Sequence, residues 1–313
     1  MTAMGDVKRR RIDELAARAG QVPEGEGGVS LTRSAFRRLR RNPVAITGAV
    51  IVVVFLLVAA FAPLLAPRDP LAQYLLSEIR PGSIPGSREG FPLGVDNLGR
   101  DVLSRLIVGS RQSLLIGVVS TLLGAAVGMA LGVLAGAFGG WVDTVVMRFV
   151  DILLSIPGLL MAISISVLLG QNQWALMIAI AVTQVPVFAR LLRGSMLAQR
   201  DSDYALAARA LGIRRSRIVL GHVLPNSLSP VIVQATLSLA TAIIEAAALS
   251  FLGLGDPDLA RPEWGAMLSN AQAFLSIRPE LAIYPALCII VVALGFTLLG
   301  ESLREALDPK FRR

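Results

Sequence analysis

The chain alternates between long apolar runs and shorter polar segments that hold most of its charged residues. The apolar runs approach or exceed about 18 residues, the length that crosses the hydrocarbon core of a bilayer as a helix. We therefore predict an all-α polytopic membrane protein with six transmembrane helices. The predicted spans cover residues 44–64, 113–138, 144–169, 174–192, 228–249 and 281–300.

The polar segments divide the chain into predicted regions. In order, these are a cytoplasmic N-terminal extension (1–33), a region with the first span (34–66), an extracytoplasmic loop (67–112), a core with spans two to six (113–303) and a cytoplasmic tail (304–313). Near the end of the extracytoplasmic loop, apolar residues recur at helical spacing, with Arg100, Asp101 and Arg105 on another face. This pattern predicts an interfacial amphipathic helix. Its apolar residues are Leu98, Val102, Leu103, Leu106 and Ile107.

Composition and charge support a membrane protein and predict its orientation. Hydrophobic residues make up 54% of the chain, more than is usual in soluble domains. The net charge is +8, but the basic residues lie between apolar runs and form no aromatic-rich clusters, which argues against a nucleic-acid partner. Of the 30 basic residues, 21 lie in the termini and in the loop between spans four and five. The positive-inside rule therefore places both termini and this loop in the cytoplasm.

Two patterns inside the spans predict how the helices pack. Gly124, Gly128, Gly132 and Gly136 recur every four residues, a spacing that lets another helix approach closely in lipid. Pro157 lies inside the predicted third span and is expected to kink it.

The sequence contains no recognisable catalytic set. A single histidine, His222, excludes a multi-histidine metal site, and neither of the two lysines follows a glycine, so no phosphate-binding loop is present. If transport uses ATP, another chain must hydrolyse it. Glu245 is the one acid well inside an apolar run, which makes it a candidate for a transport pathway. The alternative, a structural acid bonded to a neighbouring helix, stays open.

The loop between spans four and five, DYALAARALGIRRSRIVLGHVLPN, resembles the cytoplasmic "EAA" loop of ABC-importer permeases. Ala207 and Ala208 match its alanines, Gly212 follows after three residues, and Leu224-Pro225 close the motif at the expected distance. Leu206 and His222 depart from the pattern. Four further segments are similar to stretches of the dipeptide, oligopeptide and nickel branch of these permeases, namely RRNPVAITG, FPLGVDNLGRDVLSRLIVGSRQSL, MRFVDILLSIP and EAAALSFLGLG. Within that branch, the chain resembles the "C" permease.

The resemblance implies a type I ABC-importer permease fold in a bacterial inner membrane. It implies a second homologous permease subunit, ATP-binding subunits that use ATP and magnesium, and an extracytoplasmic binding protein; this chain itself would bind no cofactor. A coupling loop over about 201–225 would place a helix near 204–211 in a groove of one ATPase, and Gly212 can end that helix in a left-handed cap. The residues implied for coupling are Tyr204, Ala207, Ala208, Gly212, Arg214, Leu224 and Pro225.

Three alternatives remain at this point. The cargo implied by the resemblance is most often a dipeptide or oligopeptide, but nickel or another small cargo belongs to the same branch. A secondary transporter would show inverted repeats and midplane charges, neither of which is evident. A channel or membrane scaffold would account for the glycine spacing but not for the loop between spans four and five.

Overall fold

The computed structural model describes residues 36–258 and 260–307. The predicted extension over 1–33 and residues 308–313 of the predicted tail lie outside the described residues. Within this part of the chain the secondary structure is helical, with isolated β-bridges and no strand. The α-helices are α1 Pro43–Ala60, α2 Ala62–Leu65, α3 Val102–Phe138, α4 Gly140–Ser155, α5 Gly158–Leu169, α6 Gln173–Arg200, α7 Asp203–Ala210, α8 Arg215–Ile218, α9 Leu224–Ser227, α10 Ser229–Phe251, α11 Trp264–Ala271 and α12 Glu280–Leu307.

Five of these helices are long and apolar enough to cross a membrane, namely α1, α3, α6, α10 and α12. Helices α4 and α5 meet the same criteria only as a pair, and they are bent by 93° at the break between them. Pro157 lies at this break and pushes the preceding residue out of the helical region. Ile156 accordingly has φ −92° and ψ 129°. The predicted kink is therefore a complete break, and six spans are present only if the bent pair counts as one.

The predicted interfacial helix is not a separate element, because its residues open the 37-residue helix α3. At about 1.5 Å per residue α3 is about 55 Å long, well beyond the roughly 30 Å of a bilayer core. Its first turns must therefore extend past the apolar layer. The helix begins after Asp101, whose Oδ2 accepts a hydrogen bond from the Ser104 backbone N–H at 2.8 Å. Leu98 lies before this start.

The charged residues assigned to the polar face of that helix are buried. Arg100, Asp101 and Arg105 are 4%, 0% and 4% exposed. The Asp96 carboxylate lies between the two guanidinium groups, with Oδ2 2.7 Å from Arg100 Nε and 3.5 Å from Arg105 Nε. Arg105 also donates to the Pro70 carbonyl oxygen at 3.2 Å. Helical spacing separates two faces of a helix but does not show whether the polar face meets water or, as here, a folded loop.

Removal of the Asp96 charge should destabilise this end of the molecule. An Asp96→Asn substitution leaves two buried guanidinium groups without a counter-ion, and such a loss costs about 3–5 kcal/mol. We expect a clear fall in the thermal unfolding temperature of the purified complex. Glu78→Gln is the matched control, because it removes the carboxylate of a solvent-exposed pair with Arg88. Equal unfolding temperatures for the two variants would contradict a stabilising role of the buried cluster.

Helices α3 and α6 pack closely along the four glycines that recur every four residues. The contacted position on α6 advances by about four residues with each glycine, so the two helices run parallel. An added Cβ would lie 2.7, 2.5 and 2.8 Å from the carbonyl oxygens of Ala181, Val185 and Ala189 at Gly124, Gly128 and Gly132, and 3.0 Å from Met196 Cβ at Gly136. Since only hydrogen fits at the first three positions, this packing fixes the end of α6, from which α7 follows.

Candidate functional site

Helix α7 packs against the end of α6 through two alanine side chains. Ala205 is 0% and Ala208 7% exposed, whereas Ala207 is exposed on the outer side of the helix. The buried pair joins a cluster with Phe188, Leu192, Met196, Ile218, Val219, Val223 and Val231. The two alanines of the predicted motif thus point in different directions. Ala208 anchors α7 on its own chain, and only Ala207 can meet another one.

A left-handed glycine ends α7. Gly212 has φ +74°, its N–H donates to the Arg209 carbonyl oxygen at 2.9 Å, and the Ile213 N–H donates to the Ala208 carbonyl oxygen at 3.2 Å. This pair of hydrogen bonds is the Schellman cap, so the left-handed cap predicted at Gly212 is confirmed. No atom lies within 4 Å of the position of an added Cβ. The constraint at Gly212 is therefore the backbone conformation and not the available space.

The arginines that follow Gly212 have different environments. Arg214 is exposed and precedes α8 as its N-cap residue. The Arg215 side chain donates to the carbonyl oxygens of Ala137 and Phe138 at 2.5 and 3.1 Å. Those carbonyls end α3, where unpaired oxygens and the helix dipole favour a cation. Arg215 therefore ties α8 to the end of α3 and is more than part of a solvated basic face.

The chain returns toward the apolar layer through α8, a π-helical segment at Val219–Val223, and α9. Leu224 is half-buried against the cluster that holds Ala208, and Pro225 is exposed. His222 is exposed, and its carbonyl oxygen accepts a hydrogen bond from Asn226 Nδ2 at 2.8 Å. Leu224 thus supports the position of α7, while Pro225 and His222 lie on the surface.

The outer face of α7 is apolar and uncovered within the described chain. Tyr204, Leu206 and Leu211 are 38%, 49% and 81% exposed. Tyr204, Ala207 and Leu211 follow helical spacing on one face, and the Tyr204 hydroxyl donates to Gln199 Oε1 at 2.7 Å. The prediction from sequence missed Leu206 and Leu211 as surface residues, although the spacing from Tyr204 pointed to Leu211. Exposed apolar residues grouped in this way are typical of surfaces that contact another protein or a membrane.

A groove of about 450 Å³ lies beside the Gly212 turn. Three arginine side chains line it, those of Arg200, Arg209 and Arg215, together with apolar residues of the α8 region. An apolar helix next to a basic groove suits a protein partner with an apolar surface and nearby carboxylates.

Glu245 lies in α10, away from α7, and is partly buried. Its Oε2 is hydrogen-bonded to Thr183 Oγ1 of α6 at 3.2 Å. This contact supports the interpretation of Glu245 as a structural acid that is hydrogen-bonded to a neighbouring helix. The side chain is also partly accessible, so the pathway interpretation remains a proposal.

Among residues 36–258 and 260–307, no three His, Cys, Asp or Glu side chains lie close enough to hold a metal ion. Cys288, the single cysteine of the chain, is free and half-buried in α12.

Two protein families match the chain. "Binding-protein-dependent transport system inner membrane component" matches residues 128–313. "N-terminal TM domain of oligopeptide transport permease C" matches residues 30–80. The first match spans more than half of the chain and includes α7, Gly212 and α10.

Individual proteins show the same relationship. The "Dipeptide transport system permease protein DppC" of Alkalihalophilus pseudofirmus is 41% identical over 285 residues, 91% of each chain. The "Glutathione transport system permease protein GsiD" of Pectobacterium atrosepticum is 40% identical, with 90% of this chain and 91% of the relative covered. GsiD of Escherichia coli is 43% identical, with 88% and 90% covered.

The fold is similar to that of a solved ABC transporter permease. A chain of the structure "Inward facing conformations of the MetNI methionine ABC transporter" matches with a TM-score of 0.54 and 20% identity, covering 65% of this chain and 96% of that one. The family predicted from the loop between spans four and five is thereby confirmed, as is the type I importer permease fold of a multi-pass inner-membrane protein. This chain belongs to the family of inner-membrane components of binding-protein-dependent transport systems.

Proposed function

We propose that this chain is one permease subunit of an ATP-driven importer of short peptides. The observation that carries the proposal is the uncovered apolar face of α7, held at the end of the α3–α6 pair in a chain of this family. Such a surface supports docking by a separate protein. A channel or an ion-coupled transporter has no need of it.

The partner proposed for α7 is an ATP-binding subunit, which uses ATP and magnesium and hydrolyses ATP in place of this chain. Tyr204, Ala207 and Leu211 enter a groove of that subunit as a helix-in-groove contact. Ala208 and Leu224 hold α7 on its own chain, and Gly212 fixes the turn that follows. Arg214 and Pro225 lie on the exposed surface of the same loop and complete the docking region.

Coupling follows from the rigid connection between α7 and the spans. ATP binding closes two ATPase subunits, and the docked α7 helices of two permeases move toward each other. Because α7 packs on α6 through Ala205 and Ala208, this motion reaches the membrane helices and favours an outward-facing state. ATP can drive the change only because it binds the two states with different affinities.

The cargo proposed is a peptide of a few residues. The relatives that match over nine-tenths of the chain are named for a dipeptide and for glutathione, which are both short peptides. They give no support to nickel. An extracytoplasmic binding protein would deliver the peptide, and a second homologous permease would complete the pathway across the bilayer.

The proposed orientation puts both termini and α7 in the cytoplasm. The basic residues support it, because 21 of the 30 lie in the termini and in the α6–α10 connection with its flanks. An ATPase that uses cytoplasmic ATP must meet α7 on that side.

Reconstituted transport tests the proposed function. The complete complex is placed in proteoliposomes, and uptake of a labelled dipeptide is measured with ATP and the cognate binding protein. We expect uptake that disappears when either ATP or the binding protein is omitted. Peptide uptake driven by an ion gradient without ATP, or uptake of labelled nickel in place of peptide, would refute the proposal.

A further inference from the structure

We propose that one uncovered face of the chain, formed by α4, α6 and α10, is this subunit's wall of the translocation pathway, and that Glu245 and Arg190 contact the peptide there. The inference rests on the proposed function and deepens it, since it assigns residues to the path of the cargo. It is carried by a line of polar side chains on α6 and α10 that the rest of the described chain leaves exposed or partly exposed.

Helix α6 supplies the centre of this face. Thr183, Val187, Arg190 and Gly194 follow one another at intervals of three or four residues and so share one side of the helix. Val187, Arg190 and Gly194 are exposed, while their neighbours Val185, Pro186, Phe188 and Ala189 are buried. Between Thr183 and Gly194 the exposed side of α6 is therefore a single stripe that carries a charge and a hydroxyl.

The charge on this stripe belongs to an exposed ion pair. Arg190 NH2 lies 2.6 Å from Asp151 Oδ1 of α4, and the two side chains are 57% and 49% exposed. Asp151 lies about 16 Å along α4 from its first residue, inside the predicted third span. Arg190 lies two residues before the end of the predicted fourth span, and charged side chains within spans usually face water-filled cavities or protein. We therefore assign this exposed ion pair to a face that meets water and not lipid.

Helix α10 continues the polar lining. Gln234, Thr241 and Glu245 share one side of α10, and each is exposed or partly exposed. Glu245 joins this line to α6 through its hydrogen bond with Thr183. A groove of about 580 Å³ lies between the helices, and its mostly apolar lining includes the polar side chains of Arg190 and Gln234.

The spacing of the two charges suits a short peptide. Thr183, which holds the Glu245 carboxylate, precedes Arg190 by seven residues, or about 10 Å along α6. Three extended residues span about the same length. Glu245 can thus meet the ammonium end of a peptide, while the exposed Arg190 exchanges its Asp151 partner for the carboxylate end. The two side chains carry opposite charges at about the distance between the two ends of a zwitterionic tripeptide. An uncharged wall would offer no such contacts.

Cysteine labelling tests whether this face is wet. In a Cys288→Ser background, Val187→Cys is treated with a charged, membrane-impermeant thiol reagent in the complete complex in inside-out vesicles, and Gly194→Cys, beyond the end of the predicted fourth span, is the accessible reference. We expect labelling of Val187→Cys at least tenfold faster than of Leu122→Cys, which lies in the apolar part of α3 and is more exposed than Val187, 63% against 38%. Equal, slow labelling of Val187→Cys and Leu122→Cys would overturn the assignment of the face.

Paired substitutions test the cargo contact. Glu245→Gln and the charge-neutral pair Asp151→Asn/Arg190→Gln should each lower the peptide moved per ATP hydrolysed at least fivefold, with the ATPase stimulation by loaded binding protein retained. The matched control is Asp143→Asn/Arg193→Gln, which removes the other ion pair between α4 and α6, itself less exposed at 19% and 32%. An unchanged ratio of peptide to ATP in both test variants would overturn the cargo contact.

The two ideas can fail separately. Absence of ATP-dependent peptide uptake by the unaltered complex counts against the proposed function, whatever the labelling shows. Uptake by the unaltered complex together with an unlabelled Val187→Cys counts against the pathway wall alone.

Discussion

An aspartate at position 211 is expected to separate the permease from its ATPase. Leu211 is 81% exposed at the end of α7, so Leu211→Asp changes no internal packing. The substitution places a carboxylate in an apolar contact, where an unpaired charge loses its hydration without compensation. We expect peptide uptake to fall at least tenfold, a change of about 1.4 kcal/mol or more in coupling free energy. The ATPase should no longer co-purify with the permease pair.

Leu76→Asp is the control for this result. Leu76 is also exposed, at 48%, but it lies in the polar segment before α3, far along the chain from α7. The ATPase should co-purify with this variant as with the unaltered chain. Co-purification that persists with Leu211→Asp, together with normal uptake, would show that α7 is not the docking surface.

A valine at position 128 is expected to prevent assembly of the membrane helices. An added Cβ at Gly128 would lie 2.5 Å from the Val185 carbonyl oxygen and 2.6 Å from Phe188 Cβ. Neither atom belongs to the end of a flexible side chain, so α3 and α6 must separate. Overpacking of this kind costs about 1–3 kcal/mol or more. It acts here at the most extensive contact between two helices of the described residues. Purified Gly128→Val protein should show a large loss of yield and a lower unfolding temperature.

Gly194→Val provides the matched control for Gly128→Val. Gly194 is also a helical glycine, on α6, but no atom lies within 4 Å of its added Cβ. The same valine is therefore expected to leave the unfolding temperature nearly unchanged. Similar losses for both variants would mean that the cost arises from β-branching within the helix and not from the approach of α3 to α6.

Much of this architecture could be predicted because it depends on local signals. Apolar runs of sufficient length predict spans, and Pro157 predicts a disruption of the third one. A glycine after the alanines of α7 predicts the left-handed cap at Gly212. Each of these features follows from the conformational preferences of a few neighbouring residues.

The remaining features depend on contacts between distant segments. Asp96 lies only four residues before Arg100, but nothing in the immediate sequence of Arg105 shows that the segment with Pro70 covers it. From the sequence alone, Arg215 is one residue of a basic face. The structure shows that its side chain donates to a carbonyl oxygen at the end of α3. Ala207 and Ala208 are identical in type, and only the position of α6 shows which of them faces outward.

The central claim, that α7 is the surface on which a separate ATPase docks, can be tested by site-specific photo-crosslinking. A photo-reactive amino acid replaces Leu211 in the complete, transport-active complex, and a second sample carries it at Leu122 of α3 as the control. The proposed docking predicts an adduct between this chain and the ATPase at position 211 and none at position 122. A transport-active complex that forms no ATPase adduct from position 211 would contradict it.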